Sequence, residues 1–213
     1  MTPRFRIYLI LLLSVFALGL VRFVRVNRSC RILTLTIGMT LICEYATRIF
    51  AIKFRNSLPV YHVQIPLEFI GFSGVYYYLL NIKIRYYISI LMVTSILAAI
   101  INTIFFEKMY TDFPANYLSI CEFIYLLYAL LGFREMLGIS VNISLFRQSF
   151  FWLNTAFLIY TSGIFLSFLL REYFRKHGND TIIADDIIYG INMVFYLLLG
   201  VTILKDIKQI TDV

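Results

Sequence analysis

The chain contains seven apolar segments, each close to the length that a helix needs to cross a lipid bilayer. About 17–25 residues at about 1.5 Å per residue span the hydrocarbon core of roughly 30 Å. Segments in lipid must be helical, because every backbone polar group needs a partner within the chain. We therefore predict an all-α, polytopic membrane helical bundle without a soluble domain, with residues 1–213 forming a single transmembrane domain. The predicted spans are 7–21, 32–50, 65–82, 86–106, 117–133, 150–170 and 187–204.

The composition agrees with a membrane protein and disfavours a nucleic-acid-binding domain. Apolar residues make up 61% of the chain and charged residues 15%, whereas soluble domains average about 45–50% and about 25%. The net charge is +7, but the basic residues lie between the apolar segments, where they anchor helices and contact lipid headgroups. Membrane lipids, and not nucleic acid, are the expected partners.

The cysteines and histidines give no sign of a metal centre or a cofactor. Cys30, Cys43 and Cys121 form no CxxC pair and fit the role of reduced packing residues. His62 and His177 fall in different predicted loops, whereas a zinc hydrolase needs several converging ligands. We therefore expect no metal and no cofactor.

The first apolar segment has two readings. Arg4 and Arg6 precede an apolar run that ends in Ala17-Leu18-Gly19, as in a signal peptide with a small-residue cleavage site. Arg22, Arg25, Arg28 and Arg31 follow at once, however, and such a basic cluster resists translocation. A retained helix is the favoured reading.

Six polar residues in or beside the predicted spans are candidates for binding a ligand or an ion. Glu44, Asn102, Glu122 and Asn192 lie roughly 6–9 Å below the same membrane face, given about 1.5 Å per helical residue. Ionisable groups at such depths usually face the bundle interior or a water-filled cavity. The remaining candidates, Glu68 and His62, lie at the outer start of the third span.

Most of these residues also have a plain structural explanation. Glu44 can pair with Arg48 one helical turn later. Pro66 and Glu68 read as a helix N-terminus whose carboxylate opposes the helix dipole, and the asparagines can form hydrogen bonds between helices. Glu122 has no basic residue three or four positions away and is the strongest candidate for a functional role.

These positions suggest a single outward-facing pocket. We expect Glu122, Glu44 and Asn192 to line one cavity near the outer face, with Glu68 at its rim. The common depth motivates this prediction, as does the cost of exposing an Asp to lipid, about 2.5–3.5 kcal/mol on insertion scales.

Two segments resemble a family of small, uncharacterised bacterial multi-pass membrane proteins. The first is Phe151-Trp152-Leu153-Asn154 followed by Leu158-Ile159-Tyr160-Thr161-Ser162-Gly163, and the second is Tyr61-His62 with Pro66-Leu67-Glu68-Phe69. The resemblance implies a location in the bacterial inner membrane. It also implies a partner membrane protein such as a sensor kinase.

Three classes of function remain open. The first is a non-enzymatic membrane sensor or signalling accessory, in which a ligand enters the outer polar layer and shifts the helix packing. The second is a transporter of a small solute, a cation or protons. The third is a membrane-embedded enzyme that modifies lipid, with Glu122 or His62 as acid or base. The chain has no GxSxG, Walker or HExxH motif, so a non-enzymatic function is preferred.

The predicted orientation is N-terminus outside and C-terminus in the cytoplasm. Basic residues are nearly balanced between the two faces, so we predict the orientation from the flanks of the first span. The cluster Arg22–Arg31 is more basic than the N-terminal flank and is placed in the cytoplasm. A reporter that is active only in the periplasm, fused after Val213, should therefore be silent. Strong periplasmic activity would reverse the orientation and place the polar layer inside.

Overall fold

The computed structural model describes residues 3–138, 144–176 and 182–206, and these residues are almost entirely helical. Seven long helices are present in this part of the chain, which confirms the all-α prediction. A π-helical turn, Asn102–Phe106, continues α4, and a 3₁₀ turn, Leu145–Arg147, precedes α6. The long helices are α1 Pro3–Arg22, α2 Arg28–Lys53, α3 Leu58–Leu79, α4 Ile82–Ile101, α5 Ala115–Gly138, α6 Ser149–Lys176 and α7 Ile182–Lys205.

Six of these helices are long and apolar enough to cross a membrane: α1, α2, α4 with its π turn, α5, α6 and α7. In each, only 22–39% of the most apolar window is buried within the chain. The other apolar side chains therefore need lipid or another protein to cover them. The lengths and apolar character of these helices are thus compatible with a multi-pass membrane protein. The seventh span, α3, stays a prediction because its His, Gln, Glu, Tyr and Pro residues lower its mean hydropathy.

The contacts divide the described chain into two compact units. The N-terminal unit is Leu12–Cys121, which contains most of α1, then α2, α3, α4 and the first turns of α5. The C-terminal unit combines the rest of α5, α6 and α7, up to Asp206, with the start of α1.

In the N-terminal unit, α1, α2 and α3 pack as antiparallel neighbours at two glycine contacts. A Cβ atom added to Gly19 would lie 2.5 Å from Oγ1 of Thr34. One added to Gly71 would lie 2.3 Å from Oγ1 of Thr36. These contacts leave no room for a side chain, as is typical of helices that approach closely in membranes.

The same antiparallel order brings particular ends of the helices together in this unit. Contacts such as Thr36 with Gly71 and His62 with Thr103 fix the register. The end of α2, the start of α3 and the end of α4 therefore share one end, which we call the polar end. The start of α2, the end of α3 and the start of α4 share the other.

The C-terminal unit is held by aromatic and glycine contacts between α6 and α7. The ring of Phe195 stacks on Tyr160 at 4.3 Å and meets Phe157 edge-on at 5.2 Å. A Cβ atom on Gly163 would lie 2.6 Å from Cδ1 of Ile191. The start of α1 joins this unit through Tyr8, whose ring meets Tyr196 edge-on.

The expected helix start near Pro66 is wrong. The third helix begins seven residues before the predicted boundary, at Leu58, with Pro59 in its first turn and Pro66 inside it. Proline is tolerated in the first turn, where its missing N–H has no acceptor within the helix. Glu68 therefore lies in the body of α3, so its carboxyl does not oppose the dipole at the helix N-terminus. His62 and Gln64 lie on the helix as well.

Candidate functional site

A carboxyl group lies between α2 and α3 at the polar end. Oε1 of Glu68 accepts hydrogen bonds from Oγ1 of Thr40 and from Nε2 of Gln64, both at 2.9 Å. The Thr40 bond crosses between the helices, and the Gln64 bond spans one turn of α3. The close approach of Gly71 to Thr36 sets the register that brings Thr40 to Glu68. The carboxyl thereby links the two helices at this depth.

The imidazole of His62 connects α3 to the end of α4 and to the loop before α5. Its Nδ1 lies 2.9 Å from Oγ1 of Thr103, and its Nε2 lies 3.0 Å from the carbonyl oxygen of Asp112. A carbonyl oxygen can only accept, so Nε2 carries a proton. In the neutral ring, Nδ1 then accepts from the Thr103 hydroxyl. This assignment follows from the partners of the two nitrogens, and His62 itself is buried.

The π turn brings a second carboxylate to the start of α5. The N–H of Glu107 donates to the carbonyl oxygen of Asn102 at 2.8 Å, which closes the turn. Its Oε2 accepts from Nδ2 of Asn102 at 2.7 Å, and its Oε1 accepts from the backbone N–H of Asn116 at 3.0 Å. The carboxylate thus caps the N-terminus of α5, where a negative charge is stabilised.

An apolar groove of about 360 Å³ lies between α3 and α4 beside this cluster. His62 and Thr103 are the polar residues in its lining, and Ala99 forms part of its floor at 8% exposure. The remaining lining is aliphatic or sulfur-containing: Val63, Pro66, Leu67, Ile70, Ile96, Ile100, Ile104 and Met109. A long apolar surface with a polar pair at one end is the shape of a site for an amphiphile.

The candidates from the sequence fall into both units. Glu68, His62 and Asn102 make the contacts given above in the N-terminal unit, and the helix register places Glu44 near the level of Gln64. The same register places Asn102 at this end of the unit, while the common membrane depth expected for Glu44, Asn102, Glu122 and Asn192 stays a prediction. Glu44 itself is partly exposed.

Glu122 and Asn192 belong to the C-terminal unit. The Glu122 side chain is 6% exposed, and Nδ2 of Asn192 donates to the carbonyl oxygen of Ile188 in its own helix at 2.8 Å. The cavity expected to join Glu122 and Asn192 with Glu44 stays a prediction. His177 lies outside the described residues.

The sequence did not predict which residues form hydrogen bonds with Glu68, His62 and Asn102. Thr40, Thr103 and Glu107 complete the site, yet none was a candidate, because Thr is common in apolar segments and Glu107 was assigned to a loop. An antiparallel alignment of α2 and α3 on Gly71 would have placed Thr40 opposite Glu68. Among the described residues, no group of three His, Cys, Asp or Glu side chains is placed to hold a metal ion.

Comparison with protein-family models, with curated proteins and with solved structures found no match to this chain. The site therefore has to be interpreted from its own geometry.

The bond between Thr40 and Glu68 can be tested with an isosteric substitution. Thr40→Val keeps the shape but removes the hydroxyl donor between α2 and α3. We expect a loss of about 0.6 kcal/mol, and at most about 1.7 kcal/mol, in the free energy of unfolding, the average and the maximum for hydrogen bonds between membrane helices. The measurement is reversible unfolding in mixed micelles.

Thr34→Val is the matched control, because Thr34 donates only to the carbonyl oxygen of Cys30 in its own helix. It should stay within about 0.5 kcal/mol of the parent. In a double-mutant cycle with Glu68→Met, which removes the carboxyl acceptor, Thr40→Val should couple and Thr34→Val should not. Equal losses in the two threonine variants would show that the bond between the helices contributes nothing.

Proposed function

We propose that this protein is a non-enzymatic membrane sensor, or signalling accessory, that binds an amphiphile in the groove between α3 and α4. The observation that carries the proposal is the pair His62 and Thr103 at one end of an otherwise apolar groove. The apolar part of the ligand would pack on the aliphatic lining, and its head would reach the histidine. Because the groove is lined by residues of helices that expose apolar side chains, such a ligand could enter from the lipid.

The tautomer of His62 favours a particular head group. Nδ1 is an acceptor in the neutral ring, and the Thr103 hydroxyl occupies it at 2.9 Å. An alcohol or a protonated carboxyl can donate to Nδ1 in place of that hydroxyl. A single-chain fatty alcohol or fatty acid therefore fits both the groove and its polar end.

The position of His62 supports sensing because the same ring connects to the loop before α5. Its Nε2–H donates to Asp112, and Nδ2 of Asn56 donates to the carbonyl oxygen of Tyr110 in the same loop at 2.8 Å. A ligand that shifts the ring would weaken or break the hydrogen bond from His62 to this loop. A ligand alters a conformational equilibrium only through such a difference in contacts.

A sensor of this kind passes its output to an effector through a change in their contacts. We propose a partner membrane protein, such as the sensor kinase that the family resemblance implies. The bacterial inner membrane and the cytoplasmic C-terminus belong to the same proposal.

Photolabelling with a diazirine derivative of dodecanol tests the binding site. The parent protein in nanodiscs should be labelled in α3 and α4, and unlabelled dodecanol should compete. Ala99→Phe fills the floor of the groove and should lower the labelling at least fivefold. Val93→Phe introduces the same side chain at an exposed position of α4 outside the groove lining and should label like the parent.

The class of function is tested with the same probe. For a sensor, dodecanol should speed amide hydrogen exchange in residues 107–114, and the probe should be recovered unchanged from the protein. Equal labelling of Ala99→Phe and Val93→Phe would contradict binding in the groove. Uptake of the probe into proteoliposomes would favour the transporter, and its chemical conversion would favour the lipid-modifying enzyme.

A further inference from the structure

Six basic side chains lie at the end of the N-terminal unit opposite to the polar end. The antiparallel order of α1 to α4 brings the end of α1, the start of α2 and the start of α4 to this place. We call it the basic end. Its residues are Arg22, Arg25, Arg28, Arg31, Lys83 and Arg85.

The chain supplies no acidic counter-charge within these segments. Residues 22–31 and 79–86 contain neither Asp nor Glu. Two helices, α2 and α4, also begin here without an acidic residue in the first turn. A helix N-terminus carries partial positive charge and favours anions, so basic residues beside it are unfavourable unless an anion lies nearby. The exposed side chains of Arg25, Arg28 and Lys83 therefore carry charge that an external anion would complement.

Two of the arginines are held in place by backbone and aromatic contacts. Nη2 of Arg31 donates to the carbonyl oxygen of Val24 at 3.2 Å, and its guanidinium lies 5.8 Å from the ring centre of Phe23. Nε of Arg85 donates to Leu80 at 3.2 Å, and its guanidinium lies 5.7 Å from the Tyr77 ring. None of these contacts neutralises the charge.

The surroundings of the basic end match the interface of a bilayer. Val21 and Val24 are 83% and 79% exposed, and Tyr86 and Tyr87 are 68% and 64% exposed. Exposed apolar and tyrosine side chains next to basic ones are typical of the depth at which headgroups meet hydrocarbon. A soluble acidic protein or a nucleic acid would leave these apolar side chains in water.

We propose that the basic end binds the headgroups of anionic phospholipids. The exposed residues Arg25, Arg28 and Lys83 contact the phosphates, and the start of α2 and the start of α4 add their helix dipoles. Clusters of four to eight basic residues beside a transmembrane helix attract anionic lipid, with a contribution from each Lys or Arg. This inference does not depend on the ligand proposed for the groove.

Lipid exchange in nanodiscs tests the proposal. The parent protein should melt at a higher temperature in phosphatidylcholine discs that contain phosphatidylglycerol than in phosphatidylcholine alone, and added salt should shrink this gain. The double variant R28Q/K83Q should lose most of the gain. Its affinity for phosphatidylglycerol, measured by native mass spectrometry, should fall roughly tenfold to thirtyfold.

The matched control is R55Q/K108Q, which removes the same two residue types at exposed positions of the polar end. It should keep the gain of the parent. R28Q/K83Q should also remain folded in phosphatidylcholine alone, because removing basic residues from helix N-termini relieves an unfavourable interaction. Equal effects of the two double variants would overturn the proposal. The same gain from inorganic phosphate without anionic lipid would also overturn it, since the site would then bind a soluble anion.

Discussion

One imidazole connects three elements at the polar end of the N-terminal unit. The two nitrogens of His62, at 2.9 and 3.0 Å from their partners, tie α3 to Thr103 in the π turn and to Asp112 in the following loop. Both nitrogens of this buried ring have a hydrogen-bond partner. Moving the ring away from either partner would leave a buried polar atom without a hydrogen bond, which is costly. The groove beside it takes its polar end from the same ring.

The close packing of α2 against α3 is a second constraint at this end of the unit. Because Gly71 has no Cβ atom, the side chain of Thr36 packs directly against it. One helical turn further along α2, the hydroxyl of Thr40 donates to the Glu68 carboxyl. In lipid, where apolar burial gives little net attraction between helices, close contacts and hydrogen bonds carry the association. Close contacts and hydrogen bonds therefore hold α2 and α3 together at the polar end, and the six basic side chains lie at the opposite end of the unit.

The sequence predicted the helical class well and the site only in part. Apolar length identifies a helix in lipid regardless of its partners, so six of the seven predicted spans appear as long apolar helices. The start of α3 was misplaced because Pro66 looks like a first-turn proline until Pro59 is seen to hold that position. Thr40 and Thr103 could not be found from periodicity, since their roles depend on which helices are neighbours. Glu44 and Glu68 were candidates because a carboxyl is conspicuous in an apolar segment, and their role in binding stays a prediction.

The central claim is that His62 is a fixed, doubly bonded ring at the end of the groove. Nitrogen-15 NMR of ring-labelled histidine tests it directly, since the chain has two histidines and His177→Gln leaves the signal of His62 alone. The expected spectrum has one set of ring signals, with a proton on Nε2 and with Nδ1 shifted by an accepted hydrogen bond. A ring protonated at Nδ1, or one that averages between the two tautomers, would contradict it.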